Sequence, residues 1–184
     1  MSWQPRHAFR RGWHDKNFFM GCSVKSSIVE IHKEELGFCA GHFTIFSATD
    51  REDLHGHNYY VHVAFHVLIN ENGLAFDYRL FKKKLRALCE RLNRHFLLPS
   101  QSPYLKLEDA GDMWFAHFNQ ERIPFLKRDV VILPIHNVTI EELSHWFLSE
   151  LTKHPEELKK DSIQSMTVKV SNGPGYTAEA SLIL

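Results

Sequence analysis

Between Leu54 and Leu68 the chain alternates: Tyr59, Val61, Val63, Phe65 and Val67 form an apolar series, while His62 and His66 belong to the intervening polar one. Successive side chains of a strand point to opposite faces, so this run predicts a long strand with its odd-numbered face buried. Ser27 to Phe46 reads as two shorter extended pieces around the polar break Lys33-Glu34-Glu35, and Asn70-Glu-Asn-Gly73 supplies turn chemistry. From Asp77 the period changes. Phe81, Leu85, Leu88 and Leu92 recur at spacings of three and four, which predicts a helix, with the lysines at 82 to 84 on its solvated flank. Cys89, four after Leu85, reads as a core thiol. Tyr104 to Leu107, Met113 to Phe118 and Ile123 to Phe125 predict a β-meander joined at Asp109-Ala-Gly-Asp112 and Asn119-Gln-Glu-Arg122, and Val130 to Ile135 is a further extended run. Thr139 with Glu142 three residues on forms a capping-box pattern, opening a second helix that carries Leu143, Trp146, Phe147 and Leu151 on one face. Met166 to Val170 and Ala178 to Leu184 close the chain as strands around the turn Asn172-Gly-Pro-Gly175.

Two helices against four principal antiparallel strands make an α+β layer with one sheet face covered. The other face and the strand edges need a partner, and oligomerisation that joins sheets into a barrel would supply one. The 184 residues suffice for one core, and no linker divides them, so residues 24 to 184 are expected to form a single domain. Residues 1 to 23 differ. Arg6, Arg10, Arg11 and Lys16 alternate with Trp3, Phe9, Trp13, Phe18 and Phe19 without a steady period, as in an N-terminal extension. It is either an arm that packs on another subunit through its aromatics or a partly ordered tail.

Charge narrows the partners. Lys plus Arg and Asp plus Glu both count 22, so no global field draws in nucleic acid or an anionic membrane. Neither a membrane span nor a secretory signal is apparent, and the expected location is the cytoplasm. Cys22, Cys39 and Cys89 are odd in number and lack a C-x-x-C pattern, which points to reduced thiols rather than a disulfide or cysteine-zinc framework.

The candidate chemistry lies at the start of the long strand. In His55-Gly56-His57 both imidazoles point to one face, and His42 in Phe38-Cys39-Ala40-Gly41-His42 can supply a third from a neighbouring strand. Three neutral nitrogens around a tetrahedral ion leave one position open, the arrangement of catalytic zinc. The competing reading is coincidence, since the chain holds thirteen histidines. The same alternation excludes His62 and His66 as ligands.

Four motifs in order, Phe38-x-Ala40-x-His42, His55-Gly56-His57-Asn58-Tyr59, Gly73-x-x-x-Asp77-Tyr78 and Thr139-x-Glu141, resemble 6-pyruvoyl-tetrahydropterin synthase and the related 6-carboxy-tetrahydropterin synthases. The match runs from about residue 27 to the C-terminus. The resemblance implies the tunnelling fold (T-fold): a four-stranded antiparallel sheet with two helices on one face, here with a small β-meander insertion. It also implies a homo-oligomer, a trimer-based barrel that pairs into a hexamer. Zinc would be held by His42, His55 and His57, and Thr139, Glu141 and Asn172 would bind the substrate, 7,8-dihydroneopterin triphosphate. Most members use a cysteine base before the H-G-H. Here Glu52 matches the E-x-x-H-G-H pattern of the type III branch, whose product is 6-hydroxymethyl-7,8-dihydropterin; outside that resemblance it reads as a solvated charge in an acidic turn.

Two positions depart from the pattern. The family's Asp-His pair after the first helix is Asn93-Arg94 here, and neither residue can replace that dyad. His95, one position along, is the candidate substitute, although a one-residue shift on a helix end rotates a side chain by about 100 degrees. Its alternative is an ordinary surface or core histidine. The family's pterin-anchoring glutamate aligns with Asn172, which offers one acceptor oxygen where a carboxylate accepts two bonds, and which also reads as a turn asparagine before Gly173. Glu179 or Glu141 are candidates to compensate. Arg51, Arg94 and Lys127-Arg128 are candidate phosphate contacts. Three functions therefore stand: a zinc-dependent pterin lyase, a divergent homologue acting on another heterocycle or aldehyde, and a non-enzymatic zinc-bearing binding protein.

Overall fold

The computed structural model describes residues 25–33, 35–160 and 162–184; the aromatic and basic segment 1–23 lies outside the described residues. The long alternating run forms β3 (His55–Leu68), and its apolar series is the centre of the core, with Tyr59, Val61, Val63, Phe65 and Val67 each at most 2% exposed. Both earlier extended pieces pair antiparallel with it end to end: β1 (Ser26–Ile31) along residues 63–68 and β2 (Gly37–His42) along residues 55–60. On its other side follow β9 (Ile163–Ser171) and β10 (Thr177–Ile183), joined through Gly173 and Gly175, both at positive φ. This is the expected four-stranded antiparallel layer.

It continues further than the alternation indicated. Helix α1 (Arg79–Leu92) ends at Asn93, Arg94 takes a left-handed φ of 63°, and the chain turns into β4 (His95–Pro99), parallel to β2. β8 (Val130–Leu133) then pairs parallel with β4, so the sheet is mixed beyond β2. His95-Phe-Leu-Leu-Pro99 is apolar on both faces, which hides a strand from an alternation test. Phe96 and Leu98 face the meander while Leu97 faces the main core.

Helices α1 and α2 (Ile140–Leu151) cover one face, burying Phe81, Leu85, Cys89 and Leu92 from the first and Leu143, Trp146, Phe147 and Leu151 from the second. Burial pushes the Cys89 thiol up to about 12, which suits a packing residue and not a nucleophile. A short α3 (Pro155–Lys160), not foreseen in the sequence, precedes β9. The meander β5 (Leu105–Ala110), β6 (Met113–Phe118) and β7 (Glu121–Leu126) is a separate antiparallel sheet. With Phe43, Ile45 and Leu98 it forms a second apolar cluster. The rest of the outer sheet face is mixed: the row Glu179, Lys169 and His62 is polar, while Ile28 and Ile183 are exposed in the row of His66 and Ser165.

Gly41 sits where the two clusters meet. A Cβ there would lie 2.5 Å from Cδ2 of Phe96, whose ring also packs on Phe125. Gly41→Ala is therefore expected to cost about 1–3 kcal/mol by overpacking. A urea midpoint matching that of the parent protein would refute this.

Candidate metal centre

His42 and His55 are direct cross-strand partners on β2 and β3, and His57 follows two residues on, so pleating alone puts all three imidazoles on one face. One ring nitrogen from each falls within 4.8 Å of the others. Nε2 of His55 is 3.1 Å from Nε2 of His57, close to the roughly 3.3 Å separating two nitrogens around a tetrahedral ion of zinc's size. His55 Nδ1 lies 2.8 Å from the Asp53 carbonyl oxygen, a bond that places the ring proton there and leaves Nε2 as a lone pair. His42 is 4% exposed and makes no hydrogen bond through either nitrogen. Burial, reinforced by the neighbouring His55 and His57, holds its imidazole down at about 4, so it is neutral and able to donate to a cation near pH 7. These residues fit a three-histidine metal site.

Glu52 joins them through a break in the strand register. Its N–H donates to the Thr44 carbonyl at 2.9 Å, continuing the β2–β3 ladder outward; yet two steps separate His42 from Thr44 and three separate Glu52 from His55. The extra residue is a bulge. Without it, a residue three before His55 would project from the opposite face. With it, Glu52 Oε2 accepts from the Thr44 N–H at 2.9 Å and lies 3.8 Å from His55 Nε2. Burial pushes this carboxyl up, but its bonds to Thr44 and the adjacent histidines outweigh that, and the net shift is downward. Glu52 is thus an ionised carboxylate beside the histidines.

A cavity of about 190 Å³ holds this group, and Thr139, Glu141 and Asn172 line it with them. Thr139 caps α2, its Oγ1 accepting from the Glu142 N–H at 3.3 Å. The reciprocal half of the capping box is not made: the Glu142 carboxylate reaches back to the His136 N–H at 2.9 Å. Asn172 follows β9 directly, and its Oδ1 is buried without a hydrogen bond. Tyr59 also lines the cavity with an unpartnered hydroxyl, and burial pushes its phenol well above its ordinary value, keeping it a neutral donor. Alternation marked Tyr59 only as core; its place two residues beyond His57, on the same face, was the available signal. Thr44, which orients Glu52, carried no such signal.

His95 is not among the cavity-lining residues. It starts β4, beside Ala40 and on the far side of β2 from His57, rather than ending a helix as the sequence suggested. Asn93 and Arg94 tie α1 to the sheet: Asn93 Oδ1 accepts from the Cys39 N–H at 2.9 Å and the Arg94 N–H donates to the Cys39 carbonyl at 2.7 Å. None of the arginines or lysines considered as phosphate contacts lines this cavity. Arg51 is engaged elsewhere. Its guanidinium pairs with Glu121 of β7, donates to the Glu52 carbonyl at 2.7 Å and lies over the rings of Phe43 and Phe118. Lys127 pairs with Asp109 at 2.5 Å, and Glu179 with Lys169 at 3.4 Å on the outer sheet face.

The sequence profile of the 6-pyruvoyl tetrahydropterin synthase family matches residues 30–181. The chain belongs to that family. Among relatives of this family member, a Methanocaldococcus jannaschii protein provisionally named a 6-carboxy-5,6,7,8-tetrahydropterin synthase is 31% identical over 132 residues, 68% of this chain and 77% of that one. The 6-pyruvoyltetrahydropterin synthase of Plasmodium vivax superposes with a TM-score of 0.82 at 29% identity, covering 87% of this chain and 99% of that one. It has also been solved with a catalytic glutamate replaced by alanine or by cysteine. The Plasmodium falciparum enzyme gives a TM-score of 0.82 at 28% identity, covering 86% and 99%. The fold is accordingly the T-fold of this family. No described helix is long and apolar enough to cross a membrane.

Proposed function

We propose that the protein is a zinc-dependent pterin-converting lyase acting on 7,8-dihydroneopterin triphosphate and releasing 6-hydroxymethyl-7,8-dihydropterin. The observation that carries this reading is the Glu52 carboxylate, 3.8 Å from His55 Nε2 and bulged onto the metal-binding face. A catalytic glutamate in the Plasmodium vivax relative supports it. His42, His55 and His57 would hold the ion, which supplies Lewis-acid chemistry to the substrate's side-chain oxygens.

The residues of the chain do the rest. Glu52, held by Thr44, takes the proton of a side-chain hydroxyl. The oxygen's electrons form a carbonyl, the adjoining carbon–carbon bond breaks, and the pair left on the ring-bearing carbon takes up a proton. Thr139, Glu141 and Asn172 hold the ring, and the neutral Tyr59 hydroxyl donates to an oxygen of the bound molecule. His95 is not among the residues lining this cavity, which supports Glu52 as the base in this reading. The assembly is a trimer-based homo-oligomer pairing into a hexamer, which is supported by the need to cover the strand edges of β1 and β10. A second reading, a homologue acting on another heterocycle, draws on the amide of Asn172 in the cavity.

Product analysis separates these. Incubating zinc-loaded protein with dihydroneopterin triphosphate should yield 6-hydroxymethyl-7,8-dihydropterin by chromatography. A 6-pyruvoyl product would move the chain to the eliminating branch, and unchanged substrate would sink the lyase reading.

A further inference from the structure

Asn172 bears on which edge of a heterocycle the cavity reads. Its Oδ1 is buried, makes no hydrogen bond within the protein, and lines the same cavity as the histidines, Thr139 and Glu141. A carboxamide presents one acceptor and one donor side by side in a plane, and turning the amide over only exchanges their places. The ring edge that satisfies both is a lactam, an N–H beside a C=O. Two adjacent N–H donors, such as the ring N–H and exocyclic amino group of a 2-aminopyrimidinone, would satisfy the oxygen and set an N–H against the Nδ2 hydrogens. A carboxylate at this position would have the opposite preference, because it accepts twice and donates nothing.

We infer that Asn172 makes this site select the lactam edge of its ligand, so that 2-oxo rings of the lumazine class are bound as well as 2-amino rings of the pterin class. The inference rests on the pterin reading above and names the specificity of the same cavity. A pterin presents its lactam edge to Asn172 with the 2-amino group turned away. A lumazine has a carbonyl on both sides of the ring N–H and meets the amide in either orientation. Glu141 accepts a donor elsewhere on the molecule.

The test compares two rings with the same side chain, 6-hydroxymethylpterin and 6-hydroxymethyllumazine, by calorimetric titration of the zinc-loaded full chain in its native assembly. The expected Kd values lie within about threefold of each other. In Asn172→Asp and Asn172→Glu the pterin should be favoured by about tenfold or more, the ratio expected when a charge-assisted bond is gained by one ring alone. Melting curves confirm that the variants are folded, and a purely structural Asn172 would leave the ratio of the two Kd values unmoved. A tenfold preference of the native protein for the pterin, or a ratio unaltered in both variants, overturns the inference while the pterin reading stands. A native pterin preference that vanishes in Glu141→Gln assigns the amino group to Glu141 and overturns it equally. If neither ring binds the native protein, both the inference and the pterin reading fall.

Discussion

Glu52→Ala should lower the conversion of dihydroneopterin triphosphate at least a hundredfold, with zinc content unchanged. A positioned general base contributes about 10²–10⁴ in rate, and among the cavity-lining side chains only Glu52 and Glu141 are carboxylates. Glu141 opens α2, whereas Glu52 is the one beside the His55 nitrogen. Glu52→Gln is the sharper variant. It keeps an oxygen for the Thr44 N–H and the shape of the loop but cannot take a proton. Turnover of Glu52→Gln within threefold of the parent would remove Glu52 from the chemistry and leave it as a loop anchor.

His57→Ala should reduce bound zinc from about one ion per chain to almost none. Catalytic zinc uses three protein ligands, and the two histidines left would be His42, deep in the fold, and His55, whose other nitrogen faces the Asp53 carbonyl. The loss should also appear as stability. An ion present at a hundred times its Kd stabilises the folded state by about 2.7 kcal/mol, so zinc should raise the melting temperature of the parent and leave that of the variant unmoved. Metal analysis after dialysis decides the matter. Full zinc content in His57→Ala would mean that the ion is held elsewhere, and the shared premise of the lyase and homologue readings would fail.

How far the sequence went depended on whether a feature was periodic. β3, both long helices and the meander follow from side-chain spacing, because burial on one face leaves a period in the chain. The histidine face was legible for the same reason, since His55 and His57 share parity with Tyr59 and Val61. β4 was not, because its two faces are both apolar and it follows a helix after a single left-handed residue, Arg94. Strict alternation would have turned Glu52 away from the histidine face, and only the motif resemblance singled it out; the bulge at Asp53 and Leu54 reconciles the two. The unmade half of the capping box has a comparable cause. Glu142 satisfies the N–H of His136, a donor in a loop whose path depends on tertiary contacts such as Asn137 bonding to both the N–H and the carbonyl of Ile45. The family resemblance singled out Thr139 and Glu141, and both line the cavity with the triad.

The bond network of Arg51 changes what counts as remote in this protein. Its guanidinium touches the backbone of Glu52 on one side and Glu121, 70 residues away, on the other. The meander looks like an appendage that could be shortened or exchanged at will, yet it is a brace whose far end rests on the loop of Glu52. Anyone grafting this insertion onto another scaffold, or trimming it to make a smaller protein, would be editing the placement of a carboxylate beside His42, His55 and His57.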